Sequence, residues 1–281
     1  MVRSSHRFRS SSKEVIAGPV TWTPFLVWDG RVNESSVDIA ATAPVRKHVP
    51  MTSSFALAGA NVLVAGATGG LGSRFVGQLV AAGAHVTAVG RDHGRLEALD
   101  LPAGQTLALD LRLPNACVAA VDAAAGGGPL DLVVNATGVV AFGTVADVTI
   151  DTMEELFLTN VFVPIMLSQS ALPHMAPGSA IVNISGVIAE QNLPGMATYG
   201  ASKAALRSFQ EGFAREARRQ KVRVLDTRPP HTETGLASRA IQGTAPNFAQ
   251  GLDPDTVVSI ILRAVTDGAK DLDSAAFASD R

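Results

Sequence analysis

From Asn61 onward, short runs of apolar residues alternate with longer stretches in which apolar positions recur every three or four residues. The runs N-V-L-V-A (61–65), H-V-T-A-V-G (85–90), T-L-A-L-D (106–110), L-D-L-V-V-N (130–135), S-A-I-V-N-I-S (179–185) and K-V-R-V-L-D-T (221–227) predict six strands. Short, continuous apolar runs of this kind suit strands buried on both faces. Between them, residues 71–83, 95–99, 116–125, 153–172 and 199–220 predict helices, and a last helix starts after Asp253-Pro254 and runs to about Val265. Strands that alternate with helices predict a parallel sheet with helices on both faces, because each return to the sheet needs a crossover. Neither an internal repeat nor a second domain is visible after residue 53.

Residues 1 to about 50 show neither period, and Met51 opens the patterned part of the chain. The expectation is a disordered, or untranslated, extension over residues 1–52 and a single domain over 53–281. The basic, Ser-rich start M-V-R-S-S-H-R-F-R-S-S-S-K is not followed by an apolar signal core.

The chain has 281 residues, 47% hydrophobic and 17% charged, enough apolar material for one large α/β core. A net charge of −2, with no basic block outside the first residues, argues against nucleic acid as a partner. A single cysteine, Cys117, excludes an intramolecular disulfide and a cysteine-rich zinc site, and no metal site is expected. The richest apolar run, L-F-L-T-N-V-F-V-P-I-M-L, is short for a bilayer and carries Asn160 and Pro164. The expectation is therefore a soluble, cytoplasmic protein with no membrane partner.

Between the first strand and the first helix stands G-A-T-G-G-L-G, residues 66–72. Its spacing differs from G-x-G-x-x-G, and a glycine-rich turn also serves as a plain strand-to-helix connection. Its place favours nucleotide binding, because backbone N–H groups and a helix N-terminus there meet a pyrophosphate. The second strand ends in V-G-R-D, with Gly90 where an acid for the ribose 2′-hydroxyl is expected and Arg91 next to it. Arginine pairs well with a 2′-phosphate, although Asp92 could neutralise it, so NADP(H) is favoured over NAD(H).

The only tyrosine, Tyr199, lies in Y-G-A-S-K-A-A-L, four residues before Lys203. On a helix the two share a face. A free phenol has a pKa of about 10, and a nearby ammonium favours the phenolate. Alone, Y-x-x-x-K equally fits an amphipathic helix with a buried tyrosine.

The ordered set G-A-T-G-G-L-G, N-A-T-G (135–138), Asn160, Ser185 and Tyr199-x-x-x-Lys203 resembles the short-chain dehydrogenase/reductase family over roughly residues 55–264. The resemblance implies a Rossmann-like, doubly wound, mostly parallel α/β sheet of six to seven strands in the order 3-2-1-4-5-6. It implies an oxidoreductase acting on a small-molecule carbonyl or secondary alcohol, with self-association as a homodimer or homotetramer. Tyr199 would be the general acid/base. Lys203 would lower its pKa and hold the nicotinamide ribose, Ser185 would polarise the substrate carbonyl, and Asn160 would hold a relay water. Gly66, Thr68, Gly69, Gly70, Leu71 and Gly72 would take the cofactor's pyrophosphate side, with Arg91 at the 2′-phosphate. Asp110 and Leu111 would lie at the adenine, and Asn135, Ala136 and Gly138 along the fourth strand. Pro229, Thr232 and Thr234, with Tyr199 and Lys203, would complete the cofactor set.

Three departures from the family pattern stand out. N-A-T-G replaces N-N-A-G, which puts a Thr137 hydroxyl beside the cofactor. Pro229-Pro230 replaces Pro-Gly, which removes an N–H. No Gly-rich seventh strand is evident in D-G-A-K-D-L-D-S-A-A-F. Residues 235–250, where a substrate lid is expected, look small and polar, with Phe248 their only aromatic, and His231 reads as a solvated loop residue. A non-catalytic nucleotide-binding regulator and a nucleotide-sugar epimerase or dehydratase are the rival readings. The first has no use for the tetrad, and the second needs a larger C-terminal region.

Overall fold

The computed structural model describes residues 55–278. The extension expected over residues 1–52 lies outside them. Seven strands form one sheet: β1 Asn61–Ala65, β2 His85–Gly90, β3 Thr106–Ala108, β4 Leu130–Asn135, β5 Met175–Ile184, β6 Arg223–Thr227 and β7 Asp271–Leu272. Their order is β3-β2-β1-β4-β5-β6-β7, and every pairing is parallel. The helices are α1 Gly70–Ala81, α2 His93–Glu97, α3 Pro114–Ala125, α4 Ile150–Phe157, α5 Val163–Ala171, α6 Ala197–Ala217 and α7 Pro254–Thr266.

Strand alternation divides the core into two layers. Val62, Val64, Leu132 and Val134 pack with Phe75 and Leu79 of α1 and with Val257 and Ile261 of α7. Their neighbours Leu63, Ala65 and Val133 face the other way, towards Ala120 and Val121 of α3, Leu167 of α5 and Phe213 of α6. This doubly covered sheet is why the strand runs lack a polar face.

The helix expected over residues 153–172 is instead three pieces. A π-helical turn, Leu158–Phe162, separates α4 from α5. Pro164 has no N–H to offer the carbonyl four residues earlier, that of Asn160, so the ladder widens there. The whole helical segment Ile150–His174 is longer than the apolar run suggested, 25 residues, and its most apolar window, at mean hydropathy 1.4, is half buried in the fold. The seventh strand exists, though it is only two residues long and not glycine-rich.

Candidate functional site

The residues singled out by sequence gather at the carboxyl ends of the strands, the edge where open α/β sheets bind ligands. At the exit of β1 the backbone of Gly66 turns with φ +74, and a Cβ there would stand 2.8 Å from the Ala136 carbonyl carbon and the Thr137 nitrogen. A Cβ on Gly70 would strike Thr234, so the loop after β6 lies directly over this turn. Gly69 caps α1 without a side-chain hydrogen bond, and no acid occupies the first turn. The helix end thus keeps its N–H donors and partial positive charge for an anion. Leu71 packs against the layer of core behind the turn.

A Cβ at Gly90 would come within 2.9 Å of Thr68 Cγ2, so the place of the expected acid has little room for one. Asp92 does not neutralise Arg91. Its side chain caps α2 by accepting the N–H of Arg95 at 3.0 Å, and Arg91 itself is exposed and forms no ion pair among the described residues. Arg95, which the sequence reading passed over, donates from its guanidinium to the Thr68 carbonyl and so borders the same turn.

Asp110 is held by Arg112, which donates to it from Nε at 2.9 Å and from Nη2 at 2.6 Å. Those hydrogen bonds keep its carboxyl below the ordinary range. The Leu111 side chain is buried in the core beneath α3, so only its main chain can face a ligand. Asn135 accepts from the Thr137 N–H at 3.2 Å and from the Thr137 hydroxyl at 2.6 Å. The extra hydroxyl is therefore turned inward and shapes the turn rather than a cofactor surface. Ala136 is tied through its N–H to the Ala65 carbonyl at 2.9 Å. Pro229 is buried and accepts the Val187 N–H at 3.0 Å, while Thr232 Oγ1 donates to the Pro230 carbonyl at 2.9 Å.

Tyr199 and Lys203 stand on the first turns of α6. Lys203 is 6% exposed, and its ammonium donates to the Ile184 carbonyl at 2.9 Å. Asn160 is fully buried: Oδ1 accepts the Val139 N–H at 2.9 Å, and Nδ2 donates to the Val139 carbonyl at 3.0 Å and to Ser202 Oγ at 3.0 Å. Ser202 in turn donates to the Tyr199 carbonyl at 2.7 Å. A Cβ on Gly138 would sit 3.5 Å from both Asn160 Oδ1 and Lys203 Nζ, so β4, the π turn and α6 converge at one point. The side chain of Asn160 is fully engaged in this convergence; Ser202 is a site residue that its place between Tyr199 and Lys203 could have signalled.

Ser185 behaves otherwise. It is fully buried and donates to Asp226 Oδ1 at 2.6 Å. Gln210 donates to the same oxygen at 2.7 Å, and Arg228 to Oδ2 at 2.5 Å. Arg228 also pairs with Glu190 and with Asp271, the latter through both terminal nitrogens at 2.6 and 2.7 Å. The structure therefore places the Ser185 hydroxyl in a buried charged network, its proton given to Asp226. The next residue, Gly186, brings no hydroxyl.

Burial lowers the Lys203 ammonium to about 8, with Asp226 opposing that fall. Burial pushes the Tyr199 phenol up to about 12. The depression expected from Lys203 is absent in the protein alone, because the ammonium is turned to Ile184 and the phenol oxygen has no hydrogen-bond partner among the described residues. Near neutral pH Tyr199 is a protonated acid. As the only tyrosine in the chain, it can be titrated alone by its tyrosinate absorption. The expected midpoint without cofactor is about 12. A raised folded-state pKa stabilises the fold below the ordinary value of 10.0, and that contribution is lost as pH climbs through about 12. A midpoint at or below the ordinary value would mean that the ammonium, not burial, governs this phenol.

A family profile described as short chain dehydrogenase matches residues 60–244. Dehydrogenase/reductase SDR family member 7B of Danio rerio is 30% identical over 233 residues, covering 75% of this chain and 75% of its own. L-xylulose reductase of Mesocricetus auratus is 34% identical over 186 residues, 64% of this chain and 75% of its own. Among solved structures, a short chain dehydrogenase from Burkholderia cenocepacia J2315 in complex with NADP superposes with TM-score 0.68 at 27% identity, over 79% of this chain and 99% of that one.

Proposed function

This chain belongs to the short-chain dehydrogenase/reductase family of oxidoreductases, and we propose that it interconverts a carbonyl and a secondary alcohol with NADP(H), using Tyr199 as the proton donor and acceptor. The observation that carries the reading is the convergence of Lys203, Asn160 and Gly138, with Tyr199 one turn before Lys203 on α6, beside an uncapped glycine turn at the carboxyl edge of the sheet.

The glycine turn 66–72 would hold the pyrophosphate through main-chain N–H groups, with Gly66, Gly70 and Gly72 keeping the backbone bare. Arg91 would meet the 2′-phosphate, Asp110 and the Leu111 main chain the adenine, and Asn135, Ala136 and Gly138 the opposite wall. Lys203 would hold the nicotinamide ribose, with Pro229, Thr232 and Thr234 closing over the ring. The cofactor, when bound, supplies or accepts the hydride. In the reducing direction Tyr199 gives its phenol proton to the carbonyl oxygen as that oxygen takes up the C=O electron pair. Lys203 then stabilises the phenolate left behind. The protonated state of Tyr199 near neutral pH suits this direction.

A fluorescence titration of the full chain with NADPH and NADH tests the reading. Tighter NADPH binding, followed by NADPH oxidation with a carbonyl compound, is the expected result. Failure of either cofactor to bind the folded protein would overturn it.

A further inference from the structure

The 16 residues 235–250 after β6 look polar and small in sequence, yet the structure turns Leu236, Ala237, Ala240, Ala245 and Phe248 inward and leaves Ile241 exposed. The base of this loop is clamped by main-chain bonds, Leu252 N–H to the His231 carbonyl at 2.8 Å and Glu233 N–H to the Leu252 carbonyl at 3.0 Å. Its far end is tied to the segment after β4. The Ile241 N–H donates to the Val140 carbonyl at 2.9 Å, and the Phe142 N–H to the Gln242 carbonyl at 2.9 Å. The Gln242 side chain adds two more ties, donating to the Asp147 carbonyl at 2.7 Å and accepting the Thr149 N–H at 3.2 Å.

Under the loop, Val140, Phe142, Ile188 and Met196 are buried, and Tyr199 packs against them together with Leu236 and Phe248 of the loop. Phe248 stands between two rings, 4.8 Å from His231 and 6.0 Å from Phe142. Among the described residues, the titratable side chain that the structure places against these rings is His231. The charges nearest in sequence are engaged elsewhere: Arg239 donates to the carbonyls of Gly235 and Thr234, Glu190 pairs with Arg228, and Glu233 faces His231 at the clamp.

We propose that the apolar wall beside Tyr199 takes an uncharged, apolar carbonyl compound, an aryl or branched aliphatic ketone or aldehyde, and that Phe248 selects for it. This rests on the reductase reading above. A carbonyl bearing a carboxylate or phosphate would lose hydration against this apolar wall, and a polyhydroxylated one would leave hydroxyls unpaired. An apolar substituent instead replaces water against Val140, Ile188 and Phe248.

The test is NADPH oxidation by the full chain with three matched carbonyl classes: an aryl alkyl ketone, a 2-oxo acid and a hydroxylated ketose. The apolar ketone should exceed both others in kcat/KM by about 100-fold. Phe248→Ala should raise its KM about 10-fold while NADPH affinity stays within about twofold. Phe248→Leu should recover most of the loss, and serves in its place should the alanine variant not fold. Preference for the oxo acid or ketose, or an unchanged KM in the alanine variant, would overturn the substrate class and leave the reductase reading standing. NADPH binding with no reduction of any class would overturn both.

Discussion

Replacing Tyr199 by Phe should lower turnover about 1000-fold while leaving the dissociation constant of NADPH within about twofold. The substitution removes one oxygen and keeps the ring, so the packing against Ile188 and Met196 is retained. What is lost is the only phenol in the chain, held protonated by burial and with no competing hydrogen-bond partner among the described residues. A proton donor in this position contributes typically two to four powers of ten. Single-turnover measurements with preformed protein–NADPH complex would isolate the step. Equal rates for the two proteins would remove Tyr199 from the chemistry, and a parallel loss of NADPH affinity would recast it as a binding residue.

Ser185→Ala provides the contrast in the same assay. Its hydroxyl is given to Asp226, in a network that joins the end of β5, β6 and β7. Removing it should cost less than about 10-fold in turnover and appear mainly as reduced stability, because a buried carboxylate oxygen loses one of its donors.

The parts of the fold that depend on local period were legible in the sequence. Six apolar strand runs and the helices between them could be read because both sheet faces are covered, and Tyr199 and Lys203 could be paired because helical period alone brings them together. Elements that depend on a distant partner were not. Ser185 looked like a site residue because it ends a strand, but its direction is set by Asp226, 41 residues away on the neighbouring strand. β7 has no strand signature; Asp271 is fixed there by its two-point ion pair with Arg228. The loop over Tyr199 read as polar because its apolar residues follow neither strand nor helix period. Only the main-chain ties at Val140 and Phe142 show which of them face inward. In the protein without cofactor the Tyr199 phenol follows burial rather than Lys203 for a similar reason. Residues four apart share a face, but the Ile184 carbonyl decides where the ammonium points.

Arg91→Ala should weaken NADPH binding by 10- to 100-fold and leave NADH binding within about twofold. The magnitude follows from one hydrogen bond between a guanidinium and a phosphate, which contributes about 1.5–3 kcal/mol. Three features at the end of β2 favour this outcome. Gly90 has little space for the acid that a ribose 2′-hydroxyl would need, since Thr68 Cγ2 stands 2.9 Å from where its Cβ would lie. Asp92 is occupied as the cap of α2 and does not pair with Arg91. Arg91 is exposed and its charge acts on Asp110, so the guanidinium already faces the strand end where a ligand would lie. Arg95, bonded to the Thr68 carbonyl, is the internal comparison. If it shares the phosphate, Arg95→Ala should also lose NADPH affinity selectively; if it only braces the turn, it should weaken both cofactors alike. Raising the ionic strength should shrink the NADPH advantage of the unaltered protein, as expected for an exposed ion pair. An Arg91→Ala protein that still prefers NADPH to the same extent would move the 2′-phosphate contact away from this strand end, and Arg95 would be the next residue to test.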